Sequence, residues 1–191
     1  MNSEQDNRSD ADLVLAVRAD SREAREVLVN RHLPSVYAVA FRIAGQSCDA
    51  EDISQDSFVR AFEKLEQYDL GRSFRNWLLK IATNLAIDHV RSRKRLRVVD
   101  LEPEQAFGWR EREDSGPEVQ RLLGRLDEGQ RAAIALFHFE ELSYDQVAEA
   151  MGVPINTVRT LLHRGRRRLG ELIQREKAME DRAWTAARRK A

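Results

Sequence analysis

A single cysteine, Cys48, leaves this 191-residue chain without a disulfide framework or a cysteine-based metal cluster, as suits a reducing compartment. Four prolines and nine glycines are too few for the many turns of a β-sandwich. No apolar run approaches the length, about 20 residues, that a membrane-spanning helix needs. The polar, acidic start MNSEQDNRSDAD lacks the basic-then-apolar pattern of a secretory signal. A cytosolic protein without membrane insertion is the expectation. Catalytic signatures are missing as well. The four histidines, His32, His89, His138 and His163, sit in separate segments, and no glycine-rich phosphate loop or nucleophile elbow is present. Asp49, Glu51, Asp52 and Asp56 could look like a carboxylate metal site. No histidine shares their spacing, so helix capping and an acidic partner-binding face explain them better than a metal. No catalytic residue, metal, cofactor or small-molecule substrate is expected.

Charge of one sign is also absent, because 32 Lys and Arg balance 32 Asp and Glu. The balance hides segregation. From Ile155 to the end, eleven Lys and Arg face four Asp and Glu. Asymmetry of this kind points to nucleic-acid contact at one end.

Periodicity predicts helices throughout and no strand. The first covers Asp12 to Asn30, with Asp20-Ser21 able to break or re-cap it, and the second Leu33 to Ala44, stopped by Gly45. A third is expected to begin at Asp49 as N-cap and run to about Gln67, with Phe58, Ala61, Phe62 and Leu65 inward. A fourth, from Phe74 to about Arg95, buries Trp77, Leu78, Ile81 and Leu85. The stretch DLEPEQAFGWREREDSGPE has little periodicity and reads as a flexible linker. Its Phe107 and Trp109 either dock elsewhere or stay exposed. Beyond it Asp127, Ser143 and Asn156 are expected N-caps of further helices. The fold class is therefore all-α: two small helical domains joined by a flexible linker.

VAEAMGVPINTVRTLLHRGRRRL, residues 147–169, has the form of a helix-turn-helix. Ala148 lets the helices approach, and Gly152 permits a backbone angle that side chains resist. Val147, Met151, Val153, Val158 and Leu161 supply the apolar positions. The second helix then turns Asn156, Thr157, Arg159, Thr160, His163 and Arg164 outward, fit for a major groove. An amphipathic hairpin with a solvated basic face is the plainer alternative. On the fourth helix Lys80, Asn84, Asp88 and Arg91 share a side, near Tyr68, Phe74 and Trp77. Amides and cations among aromatics suit unstacked bases, while Phe74 and Trp77 as plain core remains open.

Three blocks carry a family resemblance: DAEDISQDSFVRAFEKLEQYD, FRNWLLKIATNLAIDHVRSRKR, and LDEGQRAAIALFHFEELSYDQVAEAMGVPINTVRTLLHRGRRRL. In this order and length the chain resembles the bacterial sigma-70 family, and within it the small extracytoplasmic-function (ECF) group that keeps only regions 2 and 4. The resemblance implies a dissociable, non-enzymatic subunit that binds core RNA polymerase and promoter DNA. It implies region 2 over residues 1–97, a linker over 98–117, region 4 over 118–172 and a basic tail over 173–191. Asp49, Asp52, Gln55, Asp56 and Phe58 would meet the polymerase. Tyr68, Arg75, Lys80, Asn84, Asp88 and Arg91 would hold the −10 element as single strand. Asn156, Thr157, Arg159, Thr160, His163, Arg164 and Arg167 would read the −35 element as duplex. An anti-sigma partner is expected too. Asp127-Glu128 stands where many relatives have proline after the leucine. Cys48 reads as a small filler or a redox switch, and the tail as a continued helix or a basic end. A stand-alone helix-turn-helix regulator is the alternative function.

Overall fold

The computed structural model describes residues 7–99 and 117–188. The expected linker, with Phe107 and Trp109, lies outside the described residues. Within them the chain is helical and contains no strand.

Helix α1 spans Asp10–Arg18 and is capped by Ser9, whose hydroxyl accepts from the Asp12 N–H at 3.1 Å. Asp20 then takes a left-handed turn at φ 66°. Ser21 caps the next helix by accepting from the Ala24 N–H at 3.2 Å. That helix, α2, spans Arg22–Ala44 without interruption. The expected boundary between Asn30 and Leu33 is absent, because α2 continues through Pro34. A helix-interior proline costs a hydrogen bond, but the buried row continues on both sides of it, from Leu28 and His32 to Val36, Val39, Ala40 and Ile43. Tertiary burial overrides the local penalty. Gly45, at φ 89°, ends α2 as anticipated.

Helix α3 spans Ser47–Glu63 and its N-cap is Gln46, not Asp49. A short 3₁₀ turn, Leu65–Gln67, follows where a longer α3 was expected. Helix α4 spans Phe74–Val99. Its buried row is Phe74, Leu78, Leu79, Ala82, Ala86, Ile87 and Val90. Trp77, Ile81 and Leu85 are only half-buried, so the true inward stripe is rotated from the expected one.

The second group contains α5 (Pro117–Gly124), α6 (Glu128–Ile134), α7 (Tyr144–Met151) and α8 (Ile155–Arg188). Asp127 is the N-cap residue of α6 but makes no side-chain cap bond; its carboxylate instead accepts from the Gln130 side chain at 3.3 Å. After α6 the backbone widens into a π turn, Ala135–Phe139. An eight-residue helix such as α7 is marginal alone. It is held by a capping box between Ser143 and Gln146 and by the burial of Val147, Ala150 and Met151. Helix α8 has no break at residue 173. The expected tail continues the same helix as far as Arg188, and Arg121 of α5 grips Glu176 through two bonds of 2.6 and 2.8 Å.

The two groups pack on each other and share one continuous core. Arg131 is the joint. Its side chain is 1% exposed, and it donates to the carbonyls of Ile43, at the end of α2, and Leu126. Gln120 likewise donates to the Phe41 carbonyl at 2.7 Å.

Gly165 marks the close approach of α8 to α6. A Cβ there would lie 2.8 Å from the Ile134 Cδ1 and 3.4 Å from the Gln130 Cβ, whereas one at Gly170 would meet nothing within 4 Å. Both positions are helical, so alanine should gain up to about 1 kcal/mol of propensity at each. Thermal unfolding should show a higher Tm for Gly170→Ala and an unchanged or lower Tm for Gly165→Ala. Equal gains at both sites would refute the close approach.

Candidate nucleic-acid interface

The turn into α8 is built from Gly152-Val153-Pro154. Gly152 is left-handed at φ 65° and ψ 33°, and the Val153 N–H donates back to the Ala148 carbonyl at 3.1 Å. The carbonyl of Pro154 accepts from the N–H groups of Thr157 and Val158, so α8 begins one residue before the expected cap. Asn156 is therefore inside the first turn. Its side-chain oxygen accepts from Arg159 at 3.3 Å, and its carbonyl accepts from the Thr160 hydroxyl at 2.9 Å.

Asn156, Thr157, Arg159, Thr160, His163, Arg164 and Arg167 are all exposed. At 3.6 residues per turn they fill one arc of α8, opposite buried Val158, Leu162 and Gly165. Helix N-terminal position, exposed amides and clustered guanidinium groups together fit a phosphate-lined groove. Arg166 lies beside this arc and is held in place. Its Nε donates to His138 Nε2 at 3.0 Å, and its guanidinium lies 5.1 Å from the Phe137 ring centroid. Burial and then the Arg166 charge lower the His138 pKa, which favours the neutral, accepting imidazole. No local pattern in the sequence marks this pair, since His138 lies 28 residues away.

On α4, Asn84, Asp88 and Arg91 are exposed and Lys80 is half-buried, all within one arc of the helix. Trp77 is half-buried at its edge. Two expected members of this face are elsewhere. Tyr68 is core: 5% exposed, its ring 5.5 Å from Phe74 and 5.0 Å from Trp77, its hydroxyl donating to the Arg72 carbonyl. No base can stack on it there. Arg75 points off the opposite side of α4 and bonds Glu140 at 2.5 Å. The loop before α4 is tied down by bonds the sequence hid. Arg18 of α1 donates to the carbonyls of Leu65 at 2.8 Å, Glu66 at 3.4 Å and Tyr68 at 2.6 Å, while Asp69 accepts from the Gly71 N–H at 2.9 Å.

The acidic face of α3 divides similarly. Asp52, Gln55 and Asp56 are exposed, beside an apolar Val59 that is 55% exposed. Phe58 faces the other way. It is 6% exposed and stacks 6.2 Å from Phe62, so its ring holds α3 to the core rather than meeting a partner. Asp49 does not cap; it bonds Arg93 of α4 and lies 3.3 Å from His89 Nε2. Cys48 is exposed beside it. Among the described residues no group of three or more His, Cys, Asp or Glu side chains is placed to hold a metal.

Comparison with known proteins fixes the family. Residues 28–96 match Sigma-70 region 2, and residues 117–169 match Sigma-70, region 4. The ECF RNA polymerase sigma factor SigW of Bacillus subtilis is 30% identical over 172 residues, covering 80% of this chain and 90% of SigW. The chain belongs to the ECF sigma factors of the sigma-70 family. The ECF RNA polymerase sigma factor SigE of Mycolicibacterium smegmatis is 37% identical over 160 residues, 76% of this chain and 60% of SigE. Among solved structures, the sigma factor RpoE in complex with the anti-sigma factor NepR from Bartonella quintana superposes with a TM-score of 0.67 at 25% identity. It covers 78% of this chain and 96% of RpoE. CnrH in complex with the cytosolic domain of CnrY gives a TM-score of 0.65 at 27% identity, covering 86% and 97%.

In this sigma factor, the departure at Asp127-Glu128 gains a physical role. Glu128 accepts from Lys94 at 2.6 Å and from Arg91 at 3.3 Å. Burial pushes its carboxyl pKa up, but the bonds from Lys94, its own backbone N–H and Arg91 pull harder, down to about 2. A depressed folded-state pKa means that the contact stabilises fully above the ordinary carboxylate range and is lost as pH falls from there toward about 2. Carboxyl-carbon NMR titration should place Glu128 near the bottom of the carboxyl series, and Lys94→Met should move its midpoint upward. A Glu128 midpoint at the ordinary value would contradict the pairing.

Proposed function

We propose that this chain binds core RNA polymerase and brings it to promoters by two separate DNA contacts. The exposed arc of α8, from Asn156 to Arg167, reads the −35 element in the major groove. The α4 arc of Lys80, Asn84, Asp88 and Arg91, with Trp77 at its edge, captures the −10 element as single strand. The α3 strip of Asp52, Gln55 and Asp56 docks on the polymerase. In this reading residues 1–97 act as region 2, 98–117 as linker and 118–172 as region 4, with α8 running on beyond the last. The observation that carries the proposal is the α8 arc, where all seven residues named from the sequence face outward while Val158, Leu162 and Gly165 pack inward.

The energetics support a two-site factor. Opening DNA costs pairing and stacking, and each captured base returns about 1–3 kcal/mol through stacking. Two modest contacts joined by a tether give avidity without either being tight. A zero net charge limits nonspecific phosphate binding away from polymerase, since that binding grows with the number of cations engaged. The reading needs no catalytic group and places the chain in the cytoplasm with the polymerase. RpoE and CnrH were each solved with a partner bound, one of them named an anti-sigma factor. We extend a partner of that kind to this chain.

Run-off transcription tests the proposal. Purified protein with bacterial core polymerase should give transcripts from DNA upstream of its own gene, and Asn84→Ala should reduce open-complex formation. Arg164→Ala should weaken duplex binding by the holoenzyme and, if it contacts phosphate, lower the salt slope by about 1. Duplex binding without polymerase, and no transcript on any template, would instead indicate a stand-alone regulator.

A further inference from the structure

Region 2 is matched only from residue 28 onward, so α1 lies outside the match. Buried Leu13, Val14 and Val17 dock α1, and at its start the Asp10 carboxylate accepts from Arg31 of α2 at 2.7 Å. Arg18, its last residue, reaches the turn before α4. Its Nη2 donates to the carbonyls of Leu65 at 2.8 Å, Glu66 at 3.4 Å and Tyr68 at 2.6 Å, and its Nε donates to Leu65 at 3.3 Å. Carbonyls that end a helical turn have no partner within it. A planar cation with a fork of donors meets three of them at once, which the compact ammonium of lysine does less well. The turn carries Tyr68, which is held at both ends. Arg18 bonds its carbonyl, and its own hydroxyl donates to the Arg72 carbonyl. Its ring lies edge-on to Phe74 at 5.5 Å and tilted against Trp77 at 5.0 Å, and Phe74 meets Trp77 at 5.7 Å. Trp77 stands half-buried at the edge of the α4 arc. Rings packed against an indole decide which of its faces looks outward.

We propose that Arg18 is a positioning residue for single-strand capture: by fixing Tyr68 it sets the orientation in which Trp77 stacks on an unstacked base of the −10 element. The inference rests on the reading of α4 as the −10 face. Neither Arg18 nor buried Tyr68 meets the DNA, and both act through Trp77. An aromatic platform gains its full stacking energy only with its face parallel to the base, so a ring free to tilt loses part of that energy to being ordered. The Arg18 side chain is 20% exposed, so water can hydrate the three carbonyls in its absence. The buried row of α1 and the bond from Arg31 to Asp10 remain. Removing the Arg18 guanidinium therefore loosens the turn without undocking α1. A segment outside the region 2 match thus shapes the −10 site from behind.

A double-mutant cycle tests this, read with the full chain bound to core polymerase and with core polymerase alone as the blank. The probe is a fluorescent single-stranded oligodeoxynucleotide carrying the non-template −10 strand from upstream of its own gene. Arg18→Met should weaken binding about tenfold, within the range of one stacked base. In a Trp77→Leu background the same change should cost less than about twofold, because the group that Arg18 orients is gone. An Arg18 that merely supports the fold would cost the same factor in both backgrounds, and that result overturns the inference. So does binding of the Arg18→Met form at the wild-type level. Duplex carrying the −35 element alone should bind within about twofold of wild type, the usual limit of additivity; a tenfold loss there would mean general damage and would also overturn it. If Arg18→Met does not fold, Arg18→Lys, which keeps the charge and the stem, decides by the same cycle. The −10 reading fails separately, if Asn84→Ala and Lys80→Ala both bind the oligonucleotide as wild type does.

Discussion

Arg131 carries a permanent charge to a place that water scarcely reaches, and the arrangement of the two helical groups follows from how that charge is accommodated. A buried cation costs several kcal/mol unless its donors are bonded. The end of a helix offers what it needs, because the last carbonyls have no partner within the helix and carry the negative end of its dipole. Arg131 reaches the Ile43 carbonyl at the end of α2 and the Leu126 carbonyl beside its own helix. With Gln120 on the Phe41 carbonyl, it fixes α6 and α5 against the end of α2. The contacts of α7 with α4 are then a consequence of that docking.

The arginines of this chain do three different jobs, and sequence position alone does not separate them. Arg18 organises a loop by gathering the carbonyls of Leu65, Glu66 and Tyr68. Arg131 joins domains. Arg159, Arg164 and Arg167 stand in solvent on α8. The planar, multiply donating guanidinium suits all three, and lysine would serve none of the first two as well. The zero net charge is thus a sum over distinct local balances. Arg72, Arg75, Arg91 and Lys94 meet acids from the second domain and Arg93 meets Asp49 of α3, while Arg159, Arg164 and Arg167 on α8 stay exposed.

Much of the molecule was legible in the sequence. Hydrophobic period gave the helices, Gly45 and Gly152 gave their ends, Ser143 gave a cap, and the order of the three blocks gave the family. The α8 arc was legible because a helix surface is a function of spacing alone. The failures share one cause. Tyr68 and Phe58 are amphipathic or aromatic groups that suit either a core or a partner, and only their neighbours decide which. Asp49 and Asn156 are residue types that favour caps, yet each lies inside the first turn of its helix. Pro34 marks a local break that burial of the flanking row overrules.

By itself, the sequence determined the class of fold, the polar arc of α4 and which residues of α8 look outward, because these depend on periodicity and short-range stereochemistry. Only the tertiary structure decided that Arg72, Arg75, Arg91 and Lys94 meet Glu149, Glu140 and Glu128, and that Arg131 caps α2 from 88 residues away. Such pairings are set by how the helices pack. A carboxylate's partner across that distance is selected by the close-packed geometry of the whole chain, which no local pattern encodes.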